Sequence, residues 1–235
     1  MFRQSRIWII GAILVVAAGI ATTVIATSGD DRAAPPTSTS SSTSTSTTTT
    51  SVPVDDTEAA VFPPTGTTRF TDPVAAANAF VTEVVGFVDP FVGTFRQGDA
   101  RSGEVDVRPF ADGPVSTVFV RRLGPDDAWY VIGTATVNIT VTQPTPLATI
   151  ASPVALAGTS TAFEGTVRVE VRVDGRDQPI ASGFVTGGAN GELGPFQDTL
   201  AFPSPGATSG SIVFFTVSAE DGRILETAVV RVHYA

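Results

Sequence analysis

The stretch GTSTAFEGTVRVEVR, residues 158–172, decides the fold of the C-terminal half of the chain. Across residues 167–173 apolar and polar residues alternate, and this period of two is typical of a β-strand with one buried face. Phe163 and Glu164 stand where this strand begins, and we expect Phe163 to be buried. The carboxylate of Glu164 is then expected to have a framework role, since it can accept backbone N–H groups or pair with an arginine such as Arg168. Ligand binding is the alternative interpretation of Glu164.

Further strand patterns, and no helical pattern, surround this stretch. Turn-forming sequences separate them, and we expect Asp174-Gly175 and Asp221-Gly222 to form hairpin turns rather than to bind a metal. Short strands at this spacing predict a two-sheet sandwich over residues 147–235. The predicted strands cover residues 155–158, 167–173, 180–185, 196–202, 211–218 and 227–234.

A series of short landmarks runs in order through the same region. They are Ile150-x-Ser152-Pro153-Val154, Gly158-Thr159, Phe163-Glu164, Gly183-x-Val185, Gly194-Pro195-Phe196, Leu200-x-Phe202, Gly210, Val213-Phe214 and Ser218-x-x-Asp221-Gly222. With this series the region resembles the immunoglobulin-like domain of bacterial spore-germination proteins, of the type found beside GerMN domains. The resemblance implies an immunoglobulin-like sandwich in an exported bacterial protein, often fused to another extracytoplasmic domain. The resemblance does not imply an enzyme, because that family has no assigned catalytic residues that could be transferred to this chain.

Residues 68–143 carry one helical pattern followed by strand patterns. Thr71 or Asp72 can cap a helix and Pro73 suits its first position, while Gly86 offers a left-handed stop. Because a small sheet needs a cover for its apolar face, one helix on an antiparallel sheet is predicted, an α+β domain. The predicted strands cover residues 104–108, 115–123, 129–132 and 135–142.

The stretch QPTPLATIASP, residues 143–153, separates the two predicted units. Its three prolines fix φ and remove backbone donors. We therefore expect this stretch to lie outside any sheet.

Few residues are candidates for a catalytic or ligand-binding site. Trp129 and Tyr130 invite an interpretation as a sugar-stacking site, but adjacent strand residues point to opposite faces, which favours burial. Asn138-Ile139-Thr140 matches a glycosylation sequon, to which we give no functional weight. The chain has no cysteine and one histidine, His233, within a strand pattern at the C-terminus. The sequence therefore predicts a protein that is not an enzyme, with no catalytic residue, metal ligand or cofactor, and it leaves the residues that bind a ligand or partner unassigned.

Residues 7–27 form an uncharged apolar run that is long enough to span a bilayer as a helix. Arg3 and Arg6 precede it, so the positive-inside rule leaves the N-terminus in the cytoplasm and the rest of the chain outside. A cleaved signal peptide is the alternative, because residues 24–26 resemble a cleavage site. The length of the run favours an anchor, and residues 1–27 are predicted to be a cytoplasmic tip and a single membrane span.

A linker is predicted for residues 28–67. Its tract TSTSSSTSTSTTTTS, residues 37–51, has no apolar residue to bury and therefore cannot offset the entropy of ordering. We expect a disordered stalk that lifts the folded part off the membrane. Unmodified and O-glycosylated stalks both fit this composition.

The charge and the composition of the chain limit the classes of function that it can have. The formal net charge is −9, and an acidic surface repels nucleic acid phosphates and anionic lipid headgroups. All 14 basic residues are arginine, which with abundant Ala, Val, Thr and Gly favours an actinobacterial source. We expect a membrane-tethered, extracytoplasmic binding or adaptor protein of the cell envelope with a link to sporulation or germination. Its expected partner is an envelope protein or a cell-wall component, and the alternative is a cell-wall glycan binder or a module associated with a hydrolase. No oligomeric state is predicted.

Overall fold

The computed structural model describes residues 56–64 and 66–235. The membrane span predicted for residues 7–27 and the Ser/Thr tract lie outside the described residues. The disordered linker predicted for residues 28–67 is wrong for residues 56–62, because Val61 and Phe62 are buried in a core and their backbone N–H groups donate to the carbonyl of Val131. Within the described residues, no helix is long and apolar enough to cross a membrane. The described residues form one compact unit.

One short α-helix, α1 (Pro73–Phe80), continues directly into a π-helical turn, Val81–Val85. Oδ1 of Asp72 accepts a hydrogen bond of 2.9 Å from the backbone N–H of Val74 at the start of the helix. Gly86 ends the π-helical turn with a φ of +93°, which glycine adopts without strain. The predicted cap and the predicted stop are therefore confirmed.

The described residues contain thirteen β-strands in two sheets. Their bounds are β1 Phe91–Gln97, β2 Ser102–Arg108, β3 Ser116–Leu123, β4 Ala128–Ala135, β5 Ile139–Gln143, β6 Ala148–Ile150, β7 Val154–Ala162, β8 Thr166–Val173, β9 Ala181–Thr186, β10 Gly188–Ala189, β11 Gly194–Leu200, β12 Ser209–Val217 and β13 Ile224–Tyr234, with 3-10 turns at Asp56–Ala59 and Phe163–Gly165. The larger sheet has the order β1-β2-β3-β4-β13-β12-β8-β9, and β6 pairs with β13. The smaller sheet holds β5, β7, β10 and β11. A β-rich sandwich with one short helix is the result, as the sequence predicted for the C-terminal region.

Strands β12 and β13 are buried on both faces, and β12 shows why. Val213 and Phe215 pack into a core beneath α1, together with residues of β2, β3 and β4. Ile212 and Phe214 point the other way, into the core between the two sheets. Since successive side chains of a strand alternate between faces, a continuous apolar run is what two buried faces require. The helix-side core and the sandwich core therefore lie on opposite faces of one strand pair.

The two predicted units are joined by this arrangement. Val229 of β13 pairs with Thr134 of β4, so strands from both units form one continuous sheet. The division of the chain into two folding units, residues 68–143 and 147–235, stays a prediction.

The single strand predicted for residues 135–142 is wrong. Strand β4 ends at Ala135, and an isolated bridge between Thr136 and Ile139 closes a turn before β5 begins. Strand β5 then pairs with β7 in the smaller sheet. The turn therefore carries the chain from one sheet to the other.

The expectation that residues 143–153 lie outside any sheet is also wrong for Gln143, the last residue of β5, and for the middle of that stretch. Strand β6 pairs in parallel with the end of β13. It is only three residues long and falls between Pro146 and Pro153. Both prolines therefore stay outside the ladder, where their missing N–H groups are tolerated.

Gly158 offers a test of the smaller sheet. It lies in β7 between β5 and β11, and a Cβ added there would lie 2.0 Å from the carbonyl oxygen of Thr140 and 2.6 Å from the ring of Phe196. We expect Gly158→Ala to lower the free energy of unfolding by about 2 kcal/mol, measured by urea denaturation. The control is Gly175→Asn, at an open turn with a φ of +73°, which should cost less than about 1 kcal/mol because asparagine tolerates this conformation. Equal stability of Gly158→Ala and the parent chain would contradict the close approach of β5 to β7.

Candidate binding surface

Six connecting segments lie together at one end of the strands, which we call the loop end. The register shows this, because the paired residues there stand at the starts and ends of neighbouring strands: Phe91 with Arg108, Thr117 with Ala135, Thr166 with Thr186, and Gly194 with Ser160. The loop end consists of residues 86–90, 109–115, 136–138, 163–165, 187–193 and 218–223.

The opposite end of the strands, which we call the linker end, receives the chain from residue 55. It consists of residues 56–60, 98–101, 124–127, 144–147, 151–153, 174–180 and 201–208. Oδ1 of Asp56 accepts a hydrogen bond of 2.8 Å from the backbone N–H of Gly124 in the turn between β3 and β4. Nε of Arg231, near the end of β13, donates to the carbonyl of Glu58 at 2.9 Å. The strands thus separate Asp56, the first described residue, from the loop end.

Large apolar side chains are exposed at the loop end. Five of its six segments carry one each, and Phe91 follows directly after the first segment. The five residues are Val88, Phe110, Val137, Phe163 and Leu193. Val137 is 83% exposed, Phe163 62% and Leu193 60%. At the linker end, Leu147 is the corresponding exposed residue, and the exposed Phe184 lies within β9. Exposed apolar groups therefore collect at the loop end.

Phe163 is not buried and Glu164 does not have a framework role, so both expectations for this pair are wrong. Phe163 is largely exposed, and Glu164 is exposed in the left-handed region with a φ of +55°. Among the described residues, the carboxylate of Glu164 has no hydrogen bond or ion pair, and the guanidinium of Arg168 has none either. The cause is the tight turn Phe163–Gly165 between β7 and β8, which directs both side chains away from the sandwich core.

Hydrogen bonds join the sandwich loops of the loop end into one platform. The backbone N–H of Thr161 donates to the carbonyl of Asn138 at 2.9 Å, and the Thr161 hydroxyl accepts a bond of 3.0 Å from the N–H of Gly191. The N–H of Gly187 donates to the carbonyl of Gly165 at 2.9 Å. The segments that carry Val137, Phe163 and Leu193 are thus held by the same framework.

The buried carboxylate of Glu226 lies beneath the segment 136–138. It accepts hydrogen bonds from the hydroxyl of Thr136 at 2.5 Å, from Nδ2 of Asn138 at 3.1 Å and from the hydroxyl of Thr216 at 3.3 Å. Both neighbours of Val137 are therefore tied down, which fixes Val137 at the tip of its turn. The amide of the sequon residue Asn138 is engaged in this internal contact.

The loop end is acidic. Six carboxylates stand against one arginine, Arg223, which gives these segments a net charge of −5. The carboxylates belong to Asp89, Asp112, Glu164, Glu192, Glu220 and Asp221. The hydroxyl of Ser218 and then the backbone N–H of Arg223 lower the pKa of Asp221, which keeps this carboxylate charged.

Most of these carboxylates lack an ionic partner. Only Asp221 has one, Arg223 at 3.7 Å, among the described residues. The segments of the linker end also carry a net charge of −5, but four of their seven carboxylates pair with arginines within the ion-pair distance, those of Asp56, Asp126, Asp127 and Asp174. Among the described residues, five carboxylates without an ionic partner therefore lie at the loop end, against three at the linker end.

Trp129 and Tyr130 are buried on opposite faces of β4, as the strand pattern predicted. Trp129 is 5% exposed, meets the ring of Phe95 edge-on at 5.2 Å and is covered by the guanidinium of Arg122, 4.9 Å from its ring centre. Tyr130 packs with Leu123 in a separate small cluster. Because neither ring offers a free face, the structure gives no support to sugar stacking at these residues.

The remaining sequence candidates have structural roles. Nδ1 of His233 lies 3.1 Å from the hydroxyl of Ser209. Gly175 and Gly222 both have a φ of +73°, which confirms the predicted turns. In the part of the chain that the structure describes, no group of three or more His, Asp or Glu side chains is arranged to hold a metal ion.

Residues 138–223 match the immunoglobulin-like domain of bacterial spore germination. The match confirms the resemblance found in the sequence, and it begins with the residue before β5, so it includes the strand that sequence analysis had assigned to the preceding unit. It fits a role associated with germination or the envelope, and an immunoglobulin-like domain is not typically catalytic. No curated protein and no solved structure matches the chain.

Proposed function

We propose that the protein is a membrane-tethered, extracytoplasmic adaptor of the bacterial cell envelope, acting in a process related to spore germination, and that it binds an envelope protein through its loop end. The observation that carries this proposal is the position of the exposed apolar side chains, which lie at the far end of the strands from Asp56, the first described residue. A helix at residues 7–27 and the part of the chain between it and Asp56 would tether the linker end. The loop end would then face away from the membrane.

The physical character of the loop end supports binding. Exposed apolar side chains that are grouped on one surface are typical of interaction sites on otherwise soluble domains. Loops held on a rigid sandwich commonly carry binding function, because the scaffold fixes their side chains in space. In this protein the scaffold is a sheet with a buried core on each side, and its loops are joined by backbone hydrogen bonds.

A protein is the partner that these features favour. The exposed rings of Phe110 and Phe163 stand on separate turns rather than as neighbours on one flat strand surface. Glycan platforms need aromatic faces with adjacent polar groups aimed at sugar hydroxyls, and the aromatic pair at residues 129–130 is buried. Nucleic acid is disfavoured by the negative charge of the loop end.

Site-specific photocrosslinking in the producing cells tests the proposal. A photoreactive amino acid is placed in the full chain at Val137, at Leu193 or, as a control at the linker end, at Ala207, all three of which are exposed. We expect one discrete protein adduct from residues 137 and 193, identified by mass spectrometry, and no such adduct from residue 207. The same yield at all three positions, or adducts to wall glycan alone, would contradict the proposal.

A further inference from the structure

The exposed apolar side chains of the loop end are accompanied by carboxylates along the chain. Four of the five segments that carry an exposed apolar residue place an acidic residue within two positions of it. These pairs are Val88 with Asp89, Phe110 with Asp112, Phe163 with Glu164, and Leu193 with Glu192. From this pattern, and on the basis of the proposed function, we infer that the loop end docks a segment of its partner protein in which apolar side chains alternate with arginine or lysine.

Two of these pairs lie on loops that touch. A Cβ added at Gly165 would lie 2.9 Å from the carbonyl oxygen of Gly187, and one added at Gly188 would lie 2.8 Å from the carbonyl carbon of Leu193. The turn that carries Phe163 therefore packs against the loop that carries Leu193. A single partner segment can contact both apolar side chains and the carboxylates beside them.

The charges favour a basic partner segment for a physical reason. The carboxylates of Glu164, Glu192 and Glu220 have no ionic partner among the described residues, so pairing with a partner's arginine or lysine breaks no internal ion pair. Opposite charges at the rim of an interface speed the encounter and exclude partners of the wrong sign. An anionic membrane surface would be repelled by the same carboxylates, so membrane insertion of the loop end is disfavoured.

Three matched variants of the full chain, each with the photoreactive amino acid at residue 137, test this inference. The first removes three charges at the loop end, Glu164→Gln, Glu192→Gln and Glu220→Gln. The second removes three exposed charges outside the loop end, Glu58→Gln, Asp177→Asn and Asp198→Asn. The third replaces the apolar residues, Phe163→Ser and Leu193→Ser. Unfolding midpoints equal to that of the parent chain establish that the variants are folded.

We expect the first variant to reduce the adduct yield about tenfold at sub-saturating levels of the partner, since each rim pair contributes a fraction of a kcal/mol. The third variant should reduce it at least as strongly, while the second should match the parent chain. Peptide sequencing of the adduct should find arginine or lysine next to apolar residues at the crosslinked position. Adduct formation should also weaken at high salt, because exposed charges are screened.

The outcomes separate this inference from the proposed function. A protein adduct whose yield is unchanged in the first variant, or whose crosslinked segment is acidic, would overturn the inference and leave the adaptor function standing. Absence of any protein adduct from residue 137, or adducts to lipid alone, would overturn both.

Discussion

Replacing Phe214 with alanine is expected to lower the free energy of unfolding by about 3–5 kcal/mol, the usual cost of removing a buried aromatic ring. Phe214 is completely buried in the sandwich core, with its ring 5.9 Å from that of Phe196. The next residue of the same strand, Phe215, points into the helix-side core. Because the two cores share β12 and β13, the substitution should lower the stability of both cores.

The two tryptophans of the chain allow a clean measurement. With Trp8 replaced by phenylalanine, the fluorescence of the full chain in detergent reports on Trp129 alone, which lies in the helix-side core. The urea transition of Trp129 should shift in Phe214→Ala together with the transition followed by circular dichroism. Phe110→Ala, at a partly exposed loop position, is the control and should change stability by less than about 0.5 kcal/mol. An unchanged Trp129 transition in Phe214→Ala would mean that the two predicted units unfold independently.

Arg231→Met is expected to lower the free energy of unfolding by about 3 kcal/mol, because it breaks a buried ion pair by removing one partner. Only 6% of the Arg231 side chain is exposed, and its Nη1 lies 2.5 Å from Oδ1 of Asp174. Its Nε also donates a hydrogen bond to the carbonyl of Glu58, so Arg231 links the 3-10 turn Asp56–Ala59 to β13. Methionine fills most of the same volume but leaves Oδ1 of Asp174 and the carbonyl oxygen of Glu58 without the guanidinium donor.

The matched control is Arg96→Met. Arg96 also pairs with carboxylates, those of Asp106 and Glu104, but 49% of its side chain is exposed. Solvent and salt weaken such a pair, so the expected cost is below about 1 kcal/mol. Urea denaturation of both variants gives the comparison. Equal costs would show that Arg231 does not act as a buried anchor.

The strand pattern of the sandwich could be predicted from the sequence, and its second core could not. The run Ile212-Val213-Phe214-Phe215 indicates a strand with two buried faces. What covers the second face is α1, which is more than a hundred residues away in the chain. Alternation within a strand indicates that a face is buried but does not identify the element that covers it. The sequence therefore could not show that strands of the two predicted units pair in one sheet.

The exposure of Phe163 shows where local patterns mislead. An aromatic residue beside a strand usually enters the core, but Glu164 and Gly165 both have a positive φ and turn the chain within three residues. The juxtaposition of an apolar and an acidic residue, as in Val88-Asp89 or Glu192-Leu193, is a signal that the sequence does contain. Its meaning becomes visible only when strand register places these segments at the same end of the molecule.

Thiol accessibility in intact cells tests most directly whether the loop end is the binding surface. The chain has no cysteine, so Val137→Cys and Ala207→Cys each introduce one reporter, at the loop end and at the linker end. With a maleimide that does not cross membranes, both purified variants should react at similar rates because both positions are exposed. In intact cells we expect position 207 to react as before and position 137 to be protected by the bound partner. Equal reactivity of both positions in intact cells would contradict a covered loop end and with it the adaptor function.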